Sequence, residues 1–211
     1  MTAKKYYGYL FNMDGAVVDS EPLTGQALAM ACADFGAPLN SDLYKAVMGQ
    51  SWQDVLIHFF IEGAISPNLN AFNEKFQSHY QSLMMSKAQL IPGVQSFLVQ
   101  LREQGKKCAI VSSGSRGMVE QVLDRFSLRD HFNVVVSKES VNLSKPDPMP
   151  YQVALAKLRV DASRSLAFED SRDGISAAKR AGCKVIAVQH DYNGGNDMSL
   201  AKRAIRSYSD I

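Results

Sequence analysis

Five short apolar runs, with helical patterns between them, constrain this chain more than any other feature: Tyr6–Met13, Cys108–Ser112, Phe132–Ser137, Ser165–Phe168 and Lys184–Gln189. Runs that are apolar throughout, without polar alternation, suit strands buried on both faces. Strands separated by amphipathic helices have to be parallel, because a crossover must return the chain to the same end of the sheet. The expected class is therefore α/β, a doubly wound parallel sheet.

The interval from Pro22 to Leu90 breaks this rhythm. It holds no strand-like run and instead shows helical periodicity over Leu23–Phe35, Asp42–Met48, Trp52–Glu62 and Ala71–Met85, with turn signals at Gly36–Pro38, Gly49 and Ser66–Pro67. An all-helical insertion is expected there, giving residues 22–90 as an inserted helical domain and residues 1–21 with 91–211 as the α/β core. Ile91–Pro92–Gly93 marks the return, followed by a helix over Val94–Gln104 that Gly105 stops. After His190, Gly194–Gly195–Asn196 predicts a loop, and a short terminal helix is expected beyond it. A chain of 211 residues with 46% hydrophobic content can bury one core and still support a small second lobe.

Composition excludes several classes of function. The formal charge is only +2, and basic pairs such as Lys106–Lys107 and Lys202–Arg203 are short and scattered, so no nucleic-acid or anionic-lipid surface is expected. Cys32, Cys108 and Cys183 lie far apart with no zinc-like spacing, and read as reduced, buried thiols. No apolar run approaches the roughly 20 residues of a membrane span, and no secretory leader pattern opens the sequence, so a soluble cytoplasmic protein is expected. No motif implies a protein partner, and a monomer or weak dimer is expected.

The chemistry-bearing residues stand at strand ends. In FNMDGAVVDSEP, Asn12 and Asp14 are two residues apart at the end of the first run, so their side chains should project the same way. Ser112, Ser113, Gly114 and Ser115 close the second run just before a helical pattern over Val119–Phe126, where hydroxyls and free N–H groups suit an anion. Lys145, in Ser144–Lys145–Pro146–Asp147, follows the third run and offers a cation. Glu169 and Asp170 end the fourth, with Ser171 and Asp173 beyond, supplying hard oxygen ligands of the kind Mg²⁺ prefers. Singly, these are a helix cap, a loop lysine and a solvated helix start. Together they lie on the one sheet edge where such folds bind ligands.

These four motifs in order, with a helical insertion after the first, resemble the haloacid dehalogenase-like superfamily, in particular its branch of β-phosphoglucomutase and small sugar-phosphate phosphatases. The resemblance spans nearly the whole chain. It implies that Asn12 holds the place of a nucleophilic aspartate, Asp14 that of the general acid and base, Ser112 with Ser113 the phosphate-binding place, and Lys145 the place of the lysine that neutralises phosphate and nucleophile. It also implies Mg²⁺ held by the residue at 12, the Asp14 carbonyl, Glu169 and Asp170, and a phosphoaspartyl intermediate. The implied activity is hydrolysis of a small phosphorylated metabolite, a sugar or polyol phosphate.

Two positions depart from the family's Asp-x-Asp-Gly-Thr. Ala16 replaces a threonine that supports the turn. Asn12 lacks the charge to attack phosphorus, so the covalent step should fail. Either an active enzyme has had its nucleophile substituted, which the intact Asp14, Ser112, Lys145, Glu169 and Asp170 favour, or the chain is a natural pseudoenzyme that binds a phosphorylated metabolite. A β-phosphoglucomutase-like transferase is a further alternative, made weaker because Thr24 and Trp52 stand where that enzyme has a histidine and an arginine. Trp52 and Thr24 are the candidate substrate contacts from the cap. His58, His79, His131 and His190 are expected to be surface or packing residues.

Overall fold

A computed structural model describes residues 6–211; residues 1–5, assigned above to the α/β portion, lie outside the described ones. The order is β1 (Gly8–Phe11), α1 (Glu21–Asp34), a 3₁₀ turn (Ser41–Ala46), α2 (Trp52–Glu62), α3 (Leu69–Lys87), α4 (Val94–Glu103) and β2 (Lys107–Val111). Then come α5 (Arg116–Arg125), β3 (Val134–Val136), α6 (Met149–Leu158), β4 (Ser165–Glu169), α7 (Arg172–Arg180), β5 (Lys184–Val188) and β6 (Ala204–Ile205). The six strands form one parallel sheet in the order β3-β2-β1-β4-β5-β6.

The chain divides into two compact units. One comprises the residues up to Val18 with Leu90–His190 and Asp197–Ile211; the other comprises Asp19–Gln89 and Asp191–Asn196. In the first, the strands' two-residue period sorts the core onto the two faces of the sheet. Leu10, Ala109, Val111 and Ala167 share one face with Tyr151, Ala154 and Leu158 of α6. Tyr9, Phe11 and Phe168 point the other way, where Phe11 stacks on Phe168 at 4.8 Å and Phe97 and Tyr208 close around them.

The second unit is helical. Phe72 of α3 meets Phe35 at 5.8 Å and Phe60 of α2 at 4.8 Å. Residues 191–196 join this unit, whereas the sequence pattern places them with the α/β portion. Tyr192 donates its hydroxyl to Asp42 at 3.2 Å, and Asn196 donates its amide to the Met48 carbonyl at 3.1 Å. A six-residue polar loop carries no periodicity from which such docking could be read.

Two expectations are corrected. The predicted helix over Asp42–Met48 is a 3₁₀ turn, opened by the Asn40 side chain accepting from the Asp42 N–H, a form common for such short pieces. The segment after His190 carries β6, which adds a parallel edge to β5, before a 3₁₀ turn at Tyr208–Asp210. A two-residue strand flanked by Lys202, Arg203 and Arg206 is too short to show a period.

The three cysteines are buried and free, as expected. Burial pushes their thiols up, to about 11 at Cys32 and about 12 at Cys108 and Cys183. Among the described residues no helix is long and apolar enough to cross a membrane.

Candidate active site

β1 lies between β2 and β4, and the chain runs outward through β2 and β3 before returning to β4 on β1's other side. That reversal leaves a crevice beyond the carboxyl ends of the central strands. Asn12 sits at its floor, its N–H prolonging the ladder to the Phe168 carbonyl at 2.9 Å.

Every polar atom of the Asn12 side chain is engaged. Nδ2 donates to the Asp14 carbonyl at 2.6 Å and to Asp170 Oδ1 at 2.9 Å, while Oδ1 accepts from Lys145 Nζ at 2.9 Å. The amide's orientation follows from its neighbours. An ammonium only donates, and a carbonyl or carboxylate only accepts, so oxygen must face Lys145 and nitrogen must face the other pair.

Asp14 lies past the end of β1, so strand periodicity alone does not aim it. The turn at Gly15 does, with φ of +68° and an N–H bonded to the Val18 carbonyl at 2.8 Å. A Cβ at Gly15 would lie 2.1 Å from Asp170 Oδ2, so backbone and carboxylate approach as closely as they do only because this residue is glycine. Ser112 Oγ donates toward Asp14 Oδ2 at 3.5 Å and accepts from the Gly114 N–H at 3.0 Å. Ser115, not Ser112 or Ser113, caps α5 by accepting from the Met118 N–H at 3.4 Å. Ser112 is thus buried and free of capping duty, while Ser113 is exposed.

Lys145 precedes a cis peptide to Pro146 and reaches back across the strand ends. Its Nζ donates to Asn12, to the Val111 carbonyl at 3.0 Å and to Glu169 Oε1 at 2.6 Å. Glu169 is fully buried and also accepts from the Tyr151 hydroxyl and, at 3.3 Å, from the Asp170 N–H. Burial pushes its carboxyl above the usual range, Lys145 pulls against that shift, and the neighbouring Asp170 adds to it. The Tyr151 phenol, buried against Glu169, is raised well above its ordinary value. A Cβ at Gly174 would stand 2.0 Å from Glu169 Oε2, so α7 begins against that carboxylate only because residue 174 has no side chain.

The crevice therefore brings together Asn12, Asp14, Ser112, Lys145, Glu169 and Asp170 from segments as far as 158 residues apart. Asp173 pairs with Arg172 at 3.2 Å on the surface. The two cap candidates are engaged within the helical unit. Trp52 donates its indole N–H to Asn73 at 3.1 Å and packs 4.6 Å from Phe76, and Thr24 donates to the Ser20 carbonyl at 3.3 Å.

Two participants were not anticipated. His190, expected to be a surface or packing residue, stands with Nε2 3.2 Å from Asp170 Oδ2. Its place just beyond the fifth strand, on the same sheet edge, was the available signal. Tyr151 lies inside an apolar helical stretch, and nothing in the sequence points it at Glu169.

The family model of the haloacid dehalogenase-like hydrolases matches residues 9–188. The chain belongs to that family. Among haloacid dehalogenase-like relatives, hexitol phosphatase B of Escherichia coli is 31% identical over 89% of this chain and 85% of its own. The phosphoglycolate phosphatase of Yersinia pseudotuberculosis is 30% identical over 94% and 87%. The crystal structure of CbbY from Rhodobacter sphaeroides in complex with phosphate superposes with a TM-score of 0.83 at 25% identity, covering 97% of this chain and 96% of that one.

Proposed function

We propose that the crevice recognises the phosphate group of a small monoester, a sugar or polyol phosphate, and that Asn12 keeps this haloacid dehalogenase-like phosphatase site silent in turnover. One observation carries the proposal. The side chain at the nucleophile's place is uncharged, and its single oxygen is held by Lys145. A carboxylate attacks phosphorus with a full negative charge, and the neutral amide has none. In this reading Asp14 exchanges a proton with a leaving oxygen, Ser112 Oγ holds the transferred group, and Lys145 supplies the neighbouring positive charge. The names of the hexitol and phosphoglycolate relatives support a small phosphorylated substrate.

The test is inorganic phosphate release from a panel of sugar, polyol and short-acid phosphates, for the chain as it stands and for Asn12→Asp. The variant is expected to turn over at least one ester while the chain as it stands remains at background, a difference on the order of 10⁴–10⁶. Release by the native chain at the variant's rate would show that the reaction does not pass through residue 12. Silence of both chains across the panel would leave the phosphatase reading without support.

A further inference from the structure

Asn12 removes more than a nucleophile. Its Nδ2 stands 2.6 Å from the Asp14 carbonyl and 2.9 Å from Asp170 Oδ1, between two of the oxygens that the family resemblance assigns to a divalent cation. An aspartate here has two oxygens, one for Lys145 and one for the metal. Asparagine has one. Left as it is, the amide points N–H bonds into the place a cation would take, and Mg²⁺, which needs near-octahedral oxygen at roughly 2.0–2.1 Å, has no use for them. Turned over, the amide offers its oxygen to the cation but sets Nδ2 against Lys145 Nζ, two donors at 2.9 Å with no acceptor between them.

The remaining acids are also engaged. Asp170 Oδ2 lies 3.2 Å from His190 Nε2, and both oxygens of Glu169 accept from Lys145, Tyr151 or the Asp170 N–H. Among the described residues there is no group of three or more histidine, cysteine or acidic side chains placed to hold a metal. The residues present do not fit the ion that the family resemblance implies.

We propose that the Asn12 amide closes the divalent-cation position from within, so that the chain as it stands binds phosphate, weakly, without a metal. The inference rests on the phosphate-recognition reading above and adds to it the loss of cation dependence. The carboxylate missing at position 12 is expected to weaken divalent binding by at least ~10³-fold, the effect of one unit charge near 4 Å in a partly screened site. The cation's charge is not replaced, so phosphate is left to Lys145 and the Ser112 loop, facing Asp14 and Asp170.

The deciding measurement is a titration of the full chain with Mn²⁺, followed by electron paramagnetic resonance of the free ion and independent of any phosphate ester. Asn12→Asp is expected to take up one ion, and the native chain none up to millimolar concentration. Adding Asp170→Asn to Asn12→Asp should abolish the gained site. Native uptake within about tenfold of the variant, or a folded Asn12→Asp chain that binds no ion, overturns the proposal. Should Asn12→Asp fail to fold, stoichiometric micromolar binding by the native chain alone overturns it, and its absence upholds it. Inorganic phosphate then separates the two readings. Native affinity equal in Mg²⁺ and in chelator supports cation independence, and tightening by Mg²⁺ refutes it. Phosphate bound by neither chain even with Mg²⁺ removes the recognition reading, while the Mn²⁺ result still stands.

Discussion

Two ion-pair clusters, one in each unit, use similar distances to different ends. In the α/β unit Lys145 meets Glu169 at 2.6 Å with side chains 9% and 0% exposed. In the helical unit Asp34 meets His79 at 2.9 Å and Lys75 at 3.8 Å, with a quarter to more than half of each side chain in solvent. The exposed cluster is screened by water and trades hydration for little. The buried one has no water to fall back on, so its members hold one another in place and the loss of one strands the rest. Charge is confined in the α/β unit's crevice, and the helical unit's polar groups serve mainly as caps and surface pairs.

The largest change expected from disturbing this contrast is in rate: Asn12→Asp restores the charge at the crevice floor and should raise phosphate release by the ~10⁴–10⁶ given above. Lys145→Ala comes next. It leaves a fully buried carboxylate without its cation, and thermal or denaturant unfolding should show a loss of about 3–5 kcal/mol. A loss below about 1 kcal/mol would mean that water enters and the site is not confined at all. Gly174→Ala should follow, because its Cβ would stand 2.0 Å from Glu169 Oε2. Overpacking of that kind costs about 1–3 kcal/mol, and urea unfolding would report it.

Asp34→Ala sits at the small end, with no resolvable change in Tm. His79 and Lys75 hold the Asp34 carboxyl below its ordinary range. Whatever it contributes is therefore present above the unfolded carboxylate's pKa and is lost as pH falls through the lower folded value. A Tm difference between the native chain and Asp34→Ala that grew with rising pH well above the carboxylate range would contradict that sign.

Much of this organisation is legible in the sequence because it is local or repeats. Unbroken apolar runs mark strands buried on both faces, the helical interval stands apart by its period, and the polar residues closing each run fall on the edge where parallel strands end. Asn12, Asp14, Ser112, Lys145, Glu169 and Asp170 could be named from that pattern. Their arrangement could not. Which atom of the Asn12 amide faces Lys145, that Tyr151 and His190 complete the carboxylate pair, and that residues 191–196 join the helical unit all depend on partners far apart in the chain. Side-chain period reports which face a residue occupies. Only the strand order around β1 decides which distant donors and acceptors meet there, and at the crevice floor those meetings determine what the single oxygen of Asn12 is able to bind.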